Sequence, residues 1–123
     1  MESLLLQDRI TVRGAANMQV IQSASSWLDL GDLEDVTTVL EVSEVTSTAN
    51  LYYETAPVAL DAAFVPLYPF TQNAIALTVG VRTDVFLASM ARVPPMRFVR
   101  WRVSGPNLWD ATFRIWVAAY GWR

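Results

Sequence analysis

Apolar and polar side chains alternate along most of this 123-residue chain, most regularly over residues 97–117. In Arg97-Phe98-Val99-Arg100-Trp101-Arg102-Val103, Val99, Trp101 and Val103 fall on one side, Arg100 and Arg102 on the other. In the following arm Trp109, Ala111, Phe113, Ile115 and Val117 share a side, opposite Asp110, Thr112, Arg114 and Trp116. Successive side chains of a strand point to opposite faces, so this period of two predicts two half-buried strands. Between them lies Ser104-Gly105-Pro106-Asn107-Leu108. Glycine, proline and asparagine are turn residues, so the pattern predicts a β-hairpin with a loop of about five residues. Trp101, Trp109 and Phe113 fall on the sides expected to be core.

The rest of the chain reads as further short strands. Residues 9–13 alternate and stop at Gly14, and residues 18–22 form a second run. Residues 23–26 are loop; Trp27-Leu28-Asp29-Leu30 then leads into a turn at Gly31-Asp32. Over residues 34–45, Val36, Thr38, Leu40 and Val42 oppose Thr37, Glu41 and Ser43. Past a polar turn at 46–50, Leu51, Tyr53 and Thr55 oppose Tyr52 and Glu54, which predicts a second hairpin. Residues 58–64 read as irregular. Val65-Pro66-Leu67-Tyr68-Pro69-Phe70 is excluded from a central strand by its prolines and is expected to cross between sheets. Residues 74–81 and 85–91 predict two more strands around Gly80 and Arg82-Thr83-Asp84, and Pro94-Pro95 stiffens the approach to the final pair. About eight short strands with no long helical period predict an all-β fold. The expected form is an antiparallel, jelly-roll-like β-sandwich with an extended N-terminal arm. Residues 1–14 are that arm or first strand, and residues 15–123 a single domain.

Composition removes much chemistry. The chain has no cysteine and no histidine, and every basic residue is an arginine. Disulfides, thiolate or imidazole metal sites, a histidine base and a Schiff-base lysine are therefore excluded. The net charge of −3 conceals a division: acids crowd the first half and arginines the last third. The two sets either cancel within one chain or present an acidic and a basic edge to neighbouring copies. An acidic chain with a short basic segment is a poor partner for nucleic acid. The longest apolar stretch, residues 74–91, is broken by Arg82 and Asp84, so no membrane-spanning segment is expected. The start Met1-Glu2-Ser3 lacks the basic residues of a signal peptide.

Two kinds of candidate site remain. Asp29, Asp32, Glu34 and Asp35 cluster about one turn, but lack calcium-loop spacing and lie too close in sequence to flank a sugar cleft. No catalytic residue, metal or cofactor is assigned. Exposed aromatics and arginines are the better candidates, since Trp, Tyr and Arg concentrate in protein interfaces. Arg9, Arg13, Tyr52, Arg100, Arg102, Arg114, Trp116 and Trp122 are the expected interface residues. If residues 97–117 are a hairpin, Arg100, Arg102 and Arg114 share one outward face and repel. Either Asp110, Glu41, Glu44 or Glu54 of the same chain answers them, or a neighbouring subunit does. Exposed aromatics also stack on sugars, so a glycan is the alternative ligand.

Several segments together resemble small β-sandwich virion proteins of tailed bacteriophages and prophages. They are Gln7-Asp8-Arg9-Ile10-Thr11-Val12-Arg13-Gly14, Ser26-Trp27-Leu28-Asp29-Leu30, Tyr53-Glu54-Thr55-Ala56-Pro57, Val99-Arg100-Trp101-Arg102 and Thr112-Phe113-Arg114-Ile115-Trp116. The resemblance spans most of the chain and implies a non-enzymatic structural protein. It points to a homo-oligomeric capsid decoration or stabilising subunit, located in the virion after assembly in the host cytoplasm. The implied partner is the major capsid protein or another virion protein. No catalytic residue carries over.

Overall fold

A computed structural model describes residues 2–67, 74–89 and 93–121, with side chains from Leu4 onward. The expectations for residues 68–73, for residues 90–92 and for the tail that includes Trp122 lie outside the described residues.

In chain order the strands are β1 (Glu2–Gly14), β2 (Gln19–Ile21), β3 (Leu28–Asp29), β4 (Asp35–Thr46), β5 (Asn50–Ala56), β6 (Val65–Pro66), β7 (Ala74–Ala76), β8 (Gly80–Phe86), β9 (Phe98–Ser104) and β10 (Trp109–Tyr120). One sheet has the order β1-β10-β4-β8. In the second, β9 and β5 lie side by side, β2 and β3 share the far side of β9, and β6 and β7 share the far side of β5. All pairings are antiparallel. With each split edge counted as one position, the chain lies 1-8-3-6 in one sheet and 2-7-4-5 in the other. That is the jelly-roll arrangement, and the predicted all-β sandwich is what the chain forms.

The alternation sorts the side chains as expected. Val36, Leu40, Phe113 and Ile115 of the first sheet face Leu51, Tyr53, Trp101 and Val103 of the second, and all are buried. Trp101 meets Phe113 edge-on with ring centroids 5.0 Å apart, and Tyr53 meets Phe86 at 5.7 Å. Edge-to-face contacts let the positive rim of one ring touch the negative face of the other. The Gln22 amide donates to Leu6 O at 2.6 Å and accepts from Trp101 N at 3.3 Å, tying β1 to β9 at a buried polar knot.

Four expectations change. Residues 97–117 are not a hairpin: β9 lies in the second sheet and β10 in the first. The strands face each other across the core, where sheets stand about 10 Å apart, rather than pairing at about 4.8 Å within one sheet. The loop Gly105–Leu108 is an arch between layers, and the turn between β4 and β5 is a second such arch. Residues 74–91 break elsewhere than at Arg82-Thr83-Asp84, which lies inside β8; the chain passes between sheets over residues 77–79 and enters β8 at Gly80, with φ 135°. Val65 and Pro66 lie along β5 rather than crossing between sheets, at an edge where proline needs no ladder partner. Of residues 1–14, expected as an arm or first strand, Glu2–Gly14 forms an edge strand of the first sheet. It runs antiparallel to β10 and buries Leu6 and Val12 in the core, with bulges between Leu5 and Gln7 and between Gln7 and Ile10.

Candidate interaction surfaces

The outer face of the second sheet carries Tyr52 and Glu54 from β5 and Arg100 and Arg102 from β9, because their neighbours Leu51, Tyr53, Val99, Trp101 and Val103 turn inward. Cross-strand register sets Glu54 opposite Arg100 and Tyr52 opposite Arg102. Glu54 bridges both arginines: Arg100 Nε donates to Oε1 and Arg102 Nε to Oε2, each at 2.9 Å. Arg100 also donates from Nη1 to Asp61 at 2.6 Å. A loop with a 3-10 turn at Asp61–Ala63 folds over this site. Phe64 and Trp27 stack on the Arg100 guanidinium, centroids 3.9 and 5.1 Å away, and Tyr52 lies 4.1 Å from that of Arg102. Arg100 is left only 4 % exposed. A buried guanidinium persists when carboxylates and ring faces replace its water, and here both do.

The outer face of the first sheet is of another kind. The register aligns Leu5, Trp116, Val39 and Thr83 in one row across all four strands. Adjacent rows hold Ala118, Thr37 and Val85, and Arg114, Glu41 and Val81. Leu5 and Trp116 are each 41 % exposed, Val85 50 % and Val81 70 %. One ion pair closes beside this row: Arg114 Nη2 donates to Glu41 at 2.6 Å, with its guanidinium 5.3 Å from the Trp116 ring.

The expected interface residues therefore do not form one patch. Arg100, Arg102 and Tyr52 lie on one side of the sandwich, and Arg114 and Trp116 on the other. Arg9 and Arg13 are exposed on β1, with Arg13 opposite Asp110. The acidic and basic halves meet within the chain, at Glu54 with Arg100 and Arg102, at Glu41 with Arg114, and at Asp29 with Arg97. Asp61, Trp27 and Phe64 were not singled out from the sequence as companions of Arg100, since they lie outside regular strands. Nothing in the sequence marks Leu5, Val81 and Val85 as surface residues of one face, since that follows only from the strand register.

The acids around Gly31 are dispersed. Asp29 holds Arg97 through two bonds of 3.2 Å and accepts Gly31 N at 2.8 Å; the guanidinium, then this backbone bond, keep its carboxyl below the usual range. Asp35 caps Ala88 N at 2.8 Å. Among the described residues no three acids stand close enough to share an ion. A cleft of about 450 Å³ is lined by Asn17, Gln19, Asn50, Ser104, Gly105 and Pro106, with no aromatic among them.

A comparison with protein-family models gives no match, and a comparison with curated proteins gives none. Among solved structures, the whole chain is similar to a chain of Bacillus endospore appendages, described as a novel family of disulfide-linked pili. The identity is 14 %, the TM-score 0.42, and 93 % of that chain is covered. Over 98 % of its length it is similar to a chain of infectious bursal disease virus strain Gx, at 12 % identity and TM-score 0.36; it spans 32 % of that chain. This chain has no cysteine, so the disulfide linkage described for the appendages has no counterpart in it.

Proposed function

We propose that the protein is a non-enzymatic structural subunit of a virion, a decoration or stabilising subunit that binds the assembled head lattice. The observation that carries this reading is the outer face of the first sheet. Leu5, Trp116, Val81 and Val85 stand exposed there with the half-buried Val39 between them, and the Arg114–Glu41 ion pair beside them is closed on itself. Contiguous exposed apolar surface marks an interaction site, and tryptophan beside arginine is the usual composition of its energetic centre. The virion placement is supported by the resemblance in the sequence motifs. Catalysis finds little support, because Glu54, Glu41, Asp29 and Asp84 are each held in an ion pair with an arginine of the same chain. A glycan binder would need aromatics in a groove, whereas Trp116 stands on an open sheet face and the cleft beside Gly105 is lined without aromatics.

The mechanism is mass action. A subunit that binds only the assembled lattice stabilises it by about 2.7 kcal/mol per site at a free concentration of one hundred times Kd. The test is co-sedimentation of the purified protein with empty heads of the phage or prophage that encodes it. Saturable binding that Trp116→Ala abolishes, with the fold intact by circular dichroism, is the expected result. Absence of binding, or retention on a glycan array that Trp116→Ala removes, overturns the reading.

A further inference from the structure

The four sheet edges are not alike. An unpaired edge strand invites pairing with another chain, and proteins blunt edges by shortening, bulging or charging them. Both edges of the second sheet are split into strands of two or three residues. The β1 edge carries two bulges, with Asp8, Arg9 and Arg13 exposed along it. The β8 edge is neither split nor bulged. Its seven residues pair with β4 without a register shift, and among the described residues nothing pairs with its other side.

The sequence of β8 is complementary to itself. Around Thr83 it reads Val81-Arg82-Thr83-Asp84-Val85. A twofold axis through Thr83 would set β8 antiparallel to a second β8, Thr83 opposite Thr83 and Gly80 opposite Phe86, so the whole strand overlaps. On the outer face each Val81 would then meet a Val85 of the other copy. On the inner face each Arg82 would meet an Asp84. Opposed residues on adjacent strands stand about 4.5–5.5 Å apart at Cβ, where apolar pairs and opposite charges are favourable. Any other in-register shift breaks the charge match.

We infer that β8 is the seam of a twofold homodimer, in which the first sheets of two copies join into one continuous eight-stranded sheet. Arg82 and Asp84 point to the inner side, where charges ordinarily guard an edge because a mate would bury them unpaired. Here they already form a bidentate pair, Nε to Oδ2 at 2.8 Å and Nη2 to Oδ1 at 3.1 Å. The twofold offers each an opposite charge, so the guard becomes a register device. Val81 and Val85, exposed in the single chain, become the outer seam. A closed, isologous contact ends at two copies and does not propagate into a fibre. The dimer stands apart from the head-binding reading, since it forms without any lattice.

The experiment is sedimentation velocity over roughly 1–100 μM, the range of modest specific association. The expected species has twice the 13.7 kDa of the chain. Val81→Lys/Val85→Lys places like charges across the seam and weakens the dimer at least about tenfold, since facing like charges cost several kcal/mol. Val81→Lys/Val85→Glu places opposite charges there and restores it; both positions are exposed, so the fold is retained. Thr83→Cys tests the register in a chain with no other cysteine: oxidation gives a covalent dimer, whereas Leu5→Cys on the β1 edge gives none. A wild-type monomer throughout, a dimer indifferent to the lysine pair, or Thr83→Cys that fails to cross-link overturns the proposal. A monomer that still binds heads refutes the dimer alone, and a dimer that ignores heads refutes the decoration reading alone.

Discussion

Glu54 is the residue on which the outer face of the second sheet depends. It holds Arg100 and Arg102, which are two residues apart on one face of β9 and separated by nothing else of negative charge on that strand. Replacing it by alanine leaves Arg100 buried with only Asp61, whose side chain is 74 % exposed. It also leaves two guanidiniums to repel each other. At an effective dielectric of 20, unit charges at 4 Å interact by about 4 kcal/mol. Breaking one side of a buried pair costs roughly 3–5 kcal/mol after solvation is counted. For Glu54→Ala we expect a loss in that range, read as a lower midpoint in urea at unchanged slope. In a domain of this size it corresponds to a fall in Tm of roughly 10–20 °C. Glu54→Gln keeps the shape and one hydrogen-bond acceptor and falls between. Asp61→Ala, which removes an exposed partner, costs about 1 kcal/mol or less. If Glu54→Ala loses less than about 1 kcal/mol, or no more than Asp61→Ala, the buried bridge is not what holds this face.

The remaining predictions concern the core and the pH response. A Cβ on Gly14 would lie 2.5 Å from Trp109 Cζ2, so Gly14→Ala should destabilise by about 1–3 kcal/mol through overpacking, measured by chemical denaturation. Phe113→Ala, which removes the ring that Trp101 meets edge-on, should cost about 3–5 kcal/mol. Burial pushes the Tyr53 phenol above its ordinary range, with the adjacent Thr38 hydroxyl offsetting part of the effect. The folded state therefore keeps a proton that the unfolded state releases, and stability should fall as pH rises above about 10. Tyr53→Phe should flatten that alkaline limb, and an unchanged limb would refute the assignment. Asp29 is held below its usual range, so its contribution is present above about pH 4 and fades as pH falls through the lower folded value. Because the pair with Arg97 is half exposed, Arg97→Ala should change the acid midpoint only slightly.

Which face of each strand is buried was legible, because period two reports directly on burial. Trp101, Trp109 and Phe113 lie in the core, and Tyr52, Arg100 and Trp116 lie on outer sheet faces, as the alternation assigns them. Which strands pair was not legible. An arch between sheets and a hairpin within one use the same local residues, so Gly105-Pro106-Asn107 fits either. One signal did point the other way: a hairpin sets Arg100 and Arg102 beside Arg114, a like-charge contact that the jelly roll removes by sending them to opposite sides. β8 was hidden because Arg82-Thr83-Asp84 has the polarity of a turn. Only its pairing with β4 reveals that the charges are two apart on a strand face. The roof of Trp27, Asp61 and Phe64 over Arg100 was invisible for a related reason, since irregular segments carry no period from which a facing side can be read.

The central claim is that the protein acts by binding an assembled head lattice. Its most direct measurement is the temperature at which purified empty heads rupture, followed by light scattering as the protein is titrated in. The prediction is a rupture temperature that rises with concentration and saturates at a fixed number of copies per head, with Trp116→Ala giving no rise. A rupture temperature unmoved at saturating protein would contradict the claim.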